Sequence, residues 1–276
     1  MARKLQNWIR SYAEFTKNSE APDLFNFWTG IATIAGALRR QVYIDQLKFK
    51  WFPNFYIILV SPPGIVTKSS TIGVGMSLLR QVDGILMGPA SMTWQGLTAA
   101  LANSTKLIPL DDTGDILTTQ YVPMSAITCE VSELGTFLDP KNDELTSVLI
   151  DLWDGKEGSW ERWLKTTDNT KIDNPWINVF ADEKKALIPY INRVIKPSDY
   201  DDMEQALVHD LREIAEMKGP FTLTEEAYAY GAAWYERHWM QPDEHLLGDR
   251  FLGYRARKQT HIHKLAMVLS AAESNA

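Results

Sequence analysis

A single cysteine, Cys129, stands in 276 residues, which excludes an intrachain disulfide and a cysteine-rich zinc site. Long apolar runs are missing too. None approaches the roughly 18 residues that a membrane-crossing helix needs, and the opening Met1-Ala2-Arg3-Lys4 lacks the apolar segment of a secretory signal. These absences predict a cytoplasmic protein with no membrane partner. Positive charge is scarce: 28 Lys and Arg against 35 Asp and Glu leave a net charge of −7. A surface coated for duplex DNA is therefore not expected, although a local basic strip fits the same total. The chain shows no repeats, no low-complexity tract and no glycine-serine linker. His261 and His263 are two residues apart, which matches no helical metal pair, and no Ser-His-Asp or Cys-His set can be ordered from spacing.

What is present is an ordinary globular composition, 45% hydrophobic and 23% charged, in a chain long enough for a sizeable core. Trp8, Tyr12 and Phe15 recur at helical spacing, and Pro22 starts a second helix over 23–38 that ends at Arg39 and Arg40, where basic residues suit the helix dipole. Segments 41–44 and 55–60 read as strands, the second apolar on both faces, as in a central strand buried on both sides. Ser91 caps a helix running to Asn103; 107–120 reads as a hairpin or surface loop, 124–131 as a strand and 144–153 as a helix. From 198 onward the pattern is helical, over 203–217, 224–239 and 251–272. Strand and helix alternate in the middle, so the expected architecture is α/β: a mostly parallel sheet flanked by helices, with N-terminal helices over 1–40, a core over 41–197 and a helical C-terminal part over 198–276.

The most informative segment is 56–71. An apolar run, Tyr56 to Val60, ends in the turn Pro62-Pro63-Gly64, and Lys68-Ser69-Ser70-Thr71 then opens a helix. Strand, turn, Lys-Ser/Thr and helix is the order of a phosphate-binding loop, in which the helix N-terminus faces the anion, the lysine neutralises the outer phosphates and the hydroxyl reaches Mg²⁺. The standard pattern would put glycines at Pro62 and Thr67, whereas here the one glycine is Gly64. A proline turn followed by a capped helix with a solvated lysine explains the same letters.

An acidic residue at the end of a neighbouring strand would complete such a site. Glu130 lies within the strand ending at Val131 and Glu133 just beyond it; Glu133 also suits the first turn of a helix capped by Ser132. The cluster Trp153, Trp160 and Trp163, rich in glycine and charge, is either a base-stacking loop or a hairpin packed on the core. The basic segment 255–264 places Arg257, His261 and Lys264 on one helix face and Arg255 and Lys258 on another, as phosphate or nucleic-acid contacts or as a solvated face.

The segments beginning at Ser61, Gly88, Ser132, Leu152 and Asn174, together with Arg257 to Ala266, follow one another in an order that resembles the phage and mobile-element P-loop ATPases of RecA/AAA-type fold. This is a domain of unknown function found beside or fused to primase–polymerase modules. The resemblance implies binding of ATP and Mg²⁺ through Gly64, Thr67, Lys68, Ser69 and Ser70, with Ser69 on the metal. Glu133 would take the acidic position, and Asn178 would be a polar sensor ending the third core strand. It further implies a homo-oligomeric ring, single-stranded DNA and a primase–polymerase as partners, and a role in phage or prophage DNA replication inside a bacterial host. Two departures stand out. Ser132 replaces the aspartate that precedes the acidic residue in many relatives, which weakens the implied Mg²⁺ site. Residues 177–183 run together two strands that relatives separate by a segment ending in arginine, so the implied trans-acting arginine is missing.

Overall fold

The computed structural model describes residues 2–19, 21–61, 68–89, 93–109, 120–131, 134–138, 143–162, 170–182, 198–240 and 248–274. The chain begins with two helices, α1 (Trp8–Thr16) and α2 (Asp23–Leu38), then three strands, β1 (Val42–Asp45), β2 (Lys50–Trp51) and β3 (Tyr56–Leu59). Helix α3 (Lys68–Leu79), strand β4 (Met87–Gly88), helix α4 (Trp94–Asn103) and strands β5 (Thr105–Pro109) and β6 (Tyr121–Val131) follow. Next come α5 (Leu134–Phe137), α6 (Asp143–Trp153) and the strands β7 (Ser159–Arg162), β8 (Thr170–Asp173) and β9 (Pro175–Asp182). The last described part holds α7 (Tyr200–Ala215), β10 (Gly219–Pro220), α8 (Glu225–Met240) and α9 (Leu252–Ala272).

The fold is α/β and its sheets are mixed, where the sequence leads one to expect a mostly parallel sheet. The central sheet runs β3-β9-β6-β4 with parallel ladders, and β5 adds to β6 as an antiparallel hairpin partner. Among the described residues β3 pairs only with β9, and Ile58 is 43% exposed, so the both-faces-apolar run is an edge strand here rather than a central one. The segment after 198 is not wholly helical either: Gly219 and Pro220 pair in parallel with Val42 and Tyr43, and β1 pairs antiparallel with β2. The cap of α4 is Thr93, whose hydroxyl accepts from the Gly96 N–H; Ser91 lies outside the described residues, as does the boundary proposed at Pro197. No helix among the described residues is long and apolar enough to cross a membrane.

One face of the sheet carries α2 and α3, around which α1, α7 and α9 close a core. That core draws Trp8, Ile31, Leu79, Phe180, Leu211 and Val268 from all three sequence segments. Helix α2 is apolar nearly all round and buried from Thr29 to Leu38, as expected of a helix with neighbours on every side. The opposite face carries α4 and α6, packed on Ile127, Val131, Ile177 and Val179. Arg39 and Arg40 send their guanidinium groups away from the last carbonyls of α2, Arg39 to those of Gly84 and Ala215. Arg40 is buried against the Phe52 ring and donates to the carbonyls of Gly155, Lys156 and Pro175, tying α2 to the segment after α6 and to the start of β9.

Contact between α2 and α3 depends on glycine. A Cβ at Gly75 would come 2.5 Å from both Thr29 Cγ2 and Thr33 Oγ1, while one at Gly73 would meet nothing within 4 Å. Gly75→Ala is therefore expected to cost about 1–3 kcal/mol by overpacking, and Gly73→Ala to be neutral or stabilising by up to about 1 kcal/mol. Paired chemical denaturation curves check both.

Candidate functional site

Strand β9 sits between β3 and β6, with Leu59 opposite Asp182 and Ala181 opposite Val131, so the three strands end at one level. Beyond that level the next described helices lie on opposite faces of the sheet. After β3 the chain leads to α3, whose Ile72, Met76 and Leu79 pack on the α2 face; after β6 it leads to α6, whose Leu145, Val148 and Leu152 pack on the other. The carboxyl ends of parallel strands are where open α/β sheets bind their ligands.

Lys68 and Ser69 open α3, and Ser70 follows as an exposed residue of the first turn. The unpaired backbone N–H groups and dipole of such a terminus favour an anion. Gly64 and Thr67 lie outside the described residues, as do Ser132, Glu133 and Trp163. Glu130 faces the α3 side of β6, half-buried, and forms an ion pair with Arg80 just past the end of α3. That pairing occupies its carboxylate one residue short of the end of β6.

Asn178 does not end its strand. It lies in the middle of β9, fully buried, where its Oδ1 accepts the Phe55 N–H (3.2 Å) and its Nδ2 donates to the Ala32 carbonyl (3.1 Å). A buried amide with both ends satisfied ties β9 to the residue before β3 and to α2, so its role is positional. The β9 ladder is unbroken from Pro175 to Asp182, directly across the junction where the family resemblance leads one to expect an inserted segment.

The basic residues separate as helical spacing requires. Arg255 faces α8: its carbonyl lies 3.2 Å from His238 Nε2, and its guanidinium carbon stands 6.0 Å from the Trp239 ring. Lys258 is partly buried, and Arg257 is exposed on the face shared with His261 and Lys264. Lys264 is not a solvated contact at all. Its Nζ is 2.7 Å from Asn54 Oδ1, 3.3 Å from the Trp153 carbonyl and 3.7 Å from the centre of the Trp153 ring. Loss of water pushes its pKa down to about 7, Asp154 opposes that shift, and Arg257 adds to it. His261 stacks on the same indole at 5.1 Å and is likewise lowered, by burial first and then by Lys264 and Arg257.

The tryptophan cluster resolves into structural parts. Trp153 is buried, and Trp160 sits in the β7–β8 hairpin opposite Ile172, half-buried against the α4–α6 core. The bend between α6 and β7 requires Gly155 at φ +58° and Gly158 at φ +91°; Asn174, itself at φ +43°, closes it by accepting the Gly158 N–H. Sequence reading missed Lys48, Lys50 and Trp51, which share a cavity with Arg257 and Lys264. The alternation of cation and aromatic over 48–51 was the available signal. No protein-family model matches this chain, and comparison with curated proteins finds no match.

Proposed function

We propose that the chain binds ATP with Mg²⁺ at the point where β3 hands over to α3, and hydrolyses it as a P-loop ATPase. The observation that carries this reading is the succession of β3 and α3: a parallel strand, and then a helix whose first residues are Lys68, Ser69 and Ser70. Lys68 neutralises the outer phosphates, Ser69 supplies the hydroxyl for Mg²⁺, and the first N–H groups of α3 face the anion. Glu133 takes the acidic role. Glu130 is left to its Arg80 partner, and Asn178 to the core. The resemblance in sequence supplies the setting: a homo-oligomeric motor of phage or prophage DNA replication, working beside a primase–polymerase in the cytoplasm of a bacterial host.

The test is Mg²⁺-dependent phosphate release and the Mg²⁺-dependent part of ATP binding by calorimetry, on the wild type and Lys68→Ala together. Loss of both in the variant, with unchanged far-UV dichroism, is the expected result. Mg²⁺-dependent binding that survives the substitution would sink the proposal. A trans-acting arginine contributes about 10³–10⁵ in rate where one is present, so the chain's missing arginine predicts binding far easier to detect than turnover.

A further inference from the structure

At the other end of the central sheet, beside Asn54 and ahead of β3, lies a cavity of about 540 Å³. Three pieces of chain meet there: the turn and strand over 48–51, the bend that follows α6 over 153–157, and one face of α9. Lysines 48, 50, 156 and 264 and Arg257 line it against two carboxylates, Asp154 and Glu157, in a chain whose net charge is −7. Glu157 is already engaged by Lys50 at 2.7 Å. Among the described residues neither Arg257 nor Lys156 has a carboxylate partner, so positive charge is in excess among the groups that line this cavity.

The floor is Lys264, only 2% exposed. Asn54, the Trp153 carbonyl and the Trp153 ring surround its ammonium group, so what it gives the cavity it lines is positive charge from beneath. One wall is aromatic: Trp51 lies 4.7 Å from the His263 ring and 5.7 Å from Phe49. The bend that forms the opposite wall is fixed by Arg40, bonded to the Gly155 and Lys156 carbonyls at 2.7 and 3.0 Å. A Cβ at Gly155 would approach the Phe52 ring to 3.0 Å and Arg40 Nη1 to 3.3 Å, at a φ that side chains resist.

An aliphatic anion would use the cations and leave the aromatic wall idle, and a neutral apolar ligand would do the reverse. A ligand that uses both has a flat π-face and an anionic group, as a nucleotide has. The volume suits one such unit, and stacking on Trp or Phe needs a base whose face is free, which excludes a duplex. We propose that this cavity binds a nucleotide unit, free or within a single strand, with the base against Trp51 and Phe49 and the phosphate against Arg257 and Lys156. The site is independent of the proposed ATP site, and neither reading rests on the other.

The experiment is fluorescence anisotropy of a short labelled oligothymidylate at low salt in EDTA, which removes Mg²⁺ from the other site. Arg257→Ala and Trp51→Ala are each expected to weaken binding about tenfold, and Lys68→Ala to leave it unchanged. Displacement by dTMP would identify a free-nucleotide site, and displacement by unlabelled oligothymidylate alone a strand site; each supports the proposal. Equal affinity of wild type, Arg257→Ala and Trp51→Ala, or failure of the wild type to bind either the oligothymidylate or, by calorimetry in EDTA, dTMP, overturns it. Inorganic phosphate displacing the probe as well as dTMP does would remove the base from the assignment and overturn it likewise. Arg257→Ala retaining Mg²⁺-dependent ATP binding keeps the fate of the two sites separate.

Discussion

Asp210→Ala should be among the most destabilising single substitutions in the chain, lowering stability by about 3–5 kcal/mol and the melting midpoint by roughly 10 °C. Asp210 is fully buried in α7 and holds the start of the chain in place. Its carboxylate accepts the backbone N–H groups of Lys4 (2.7 Å) and Leu5 (2.9 Å) and the guanidinium of Arg3 (3.0 Å), with His209 Nδ1 at 3.0 Å. Alanine would leave two backbone donors and a nearly buried arginine without their acceptor, and unmade buried hydrogen bonds cost more than made ones contribute. Arg3 also donates to the carbonyls of Ala271 and Ala272, so the same loss loosens the end of α9. Asp210→Asn keeps an acceptor but no charge and should fall between the two. Burial alone would raise the Asp210 pKa, but the N–H groups of Lys4 and Leu5 and the side chains of His209 and Arg3 outweigh it, so the folded value lies below the usual carboxylate range. A depressed carboxylate contributes stability above its unfolded pKa and loses it as pH falls through the folded one. Asp210→Ala should therefore show a shallower acid limb as well as a lower plateau. Thermal melts across the acid range check both, and a melting midpoint within a degree or two of the wild type would refute the account.

Local signals made much of this fold legible. The bounds of α2 follow from Pro22 and a run apolar on every side, and α6 follows from i, i+3, i+4 spacing that returns as Leu145, Val148, Leu149 and Leu152 in the core. Of the strand–turn–Lys-Ser-Ser–helix order, the strand and the helix return as β3 and α3, and the turn lies outside the described residues. What was illegible is long-range. Nothing near Lys264 announces that its ammonium group ends on Asn54, 210 residues earlier, and a basic stretch on a helix reads as solvated until its partner is known. The resemblance set Asn178 at a strand end, whereas β9 extends to Asp182 by pairing with both β3 and β6, and a strand's length depends on its neighbours. The pairing of Gly219-Pro220 with β1 has no periodicity to betray it, being two residues long. Edge or centre is likewise a property of the sheet, and β3 carries the same four apolar letters in either place.

The other large effect is a pH dependence centred on Lys264. With its folded pKa at about 7 and its unfolded value at the ordinary lysine level, the unfolded chain carries a proton through the intervening range that the folded chain lacks. Stability therefore rises with pH above about 7, by up to about 1.4 kcal/mol per unit, and below that point the buried charge weighs against folding. The groups that face Lys264 from its neighbours are Asp154, which opposes the shift, and Arg257, which adds to it; Lys48, Lys50, Lys156 and Glu157 line the same cavity. His261 acts in the same direction but at lower pH, since its own value is depressed below 6.5. Cys129, pushed up to about 12 by burial, works the other way once the unfolded thiol begins to ionise. The slope is cleanest between about pH 7 and 8.5, below that onset. Lys264→Met keeps the length of the side chain and removes the titration, so the variant should lose the slope in urea denaturation across that window; an unchanged slope would refute the assignment. Oligothymidylate binding should run the opposite way, weakening as pH rises and Lys264 gives up its charge. A lysine that merely fills space would give neither trend, and one that merely titrates in the core would give only the first.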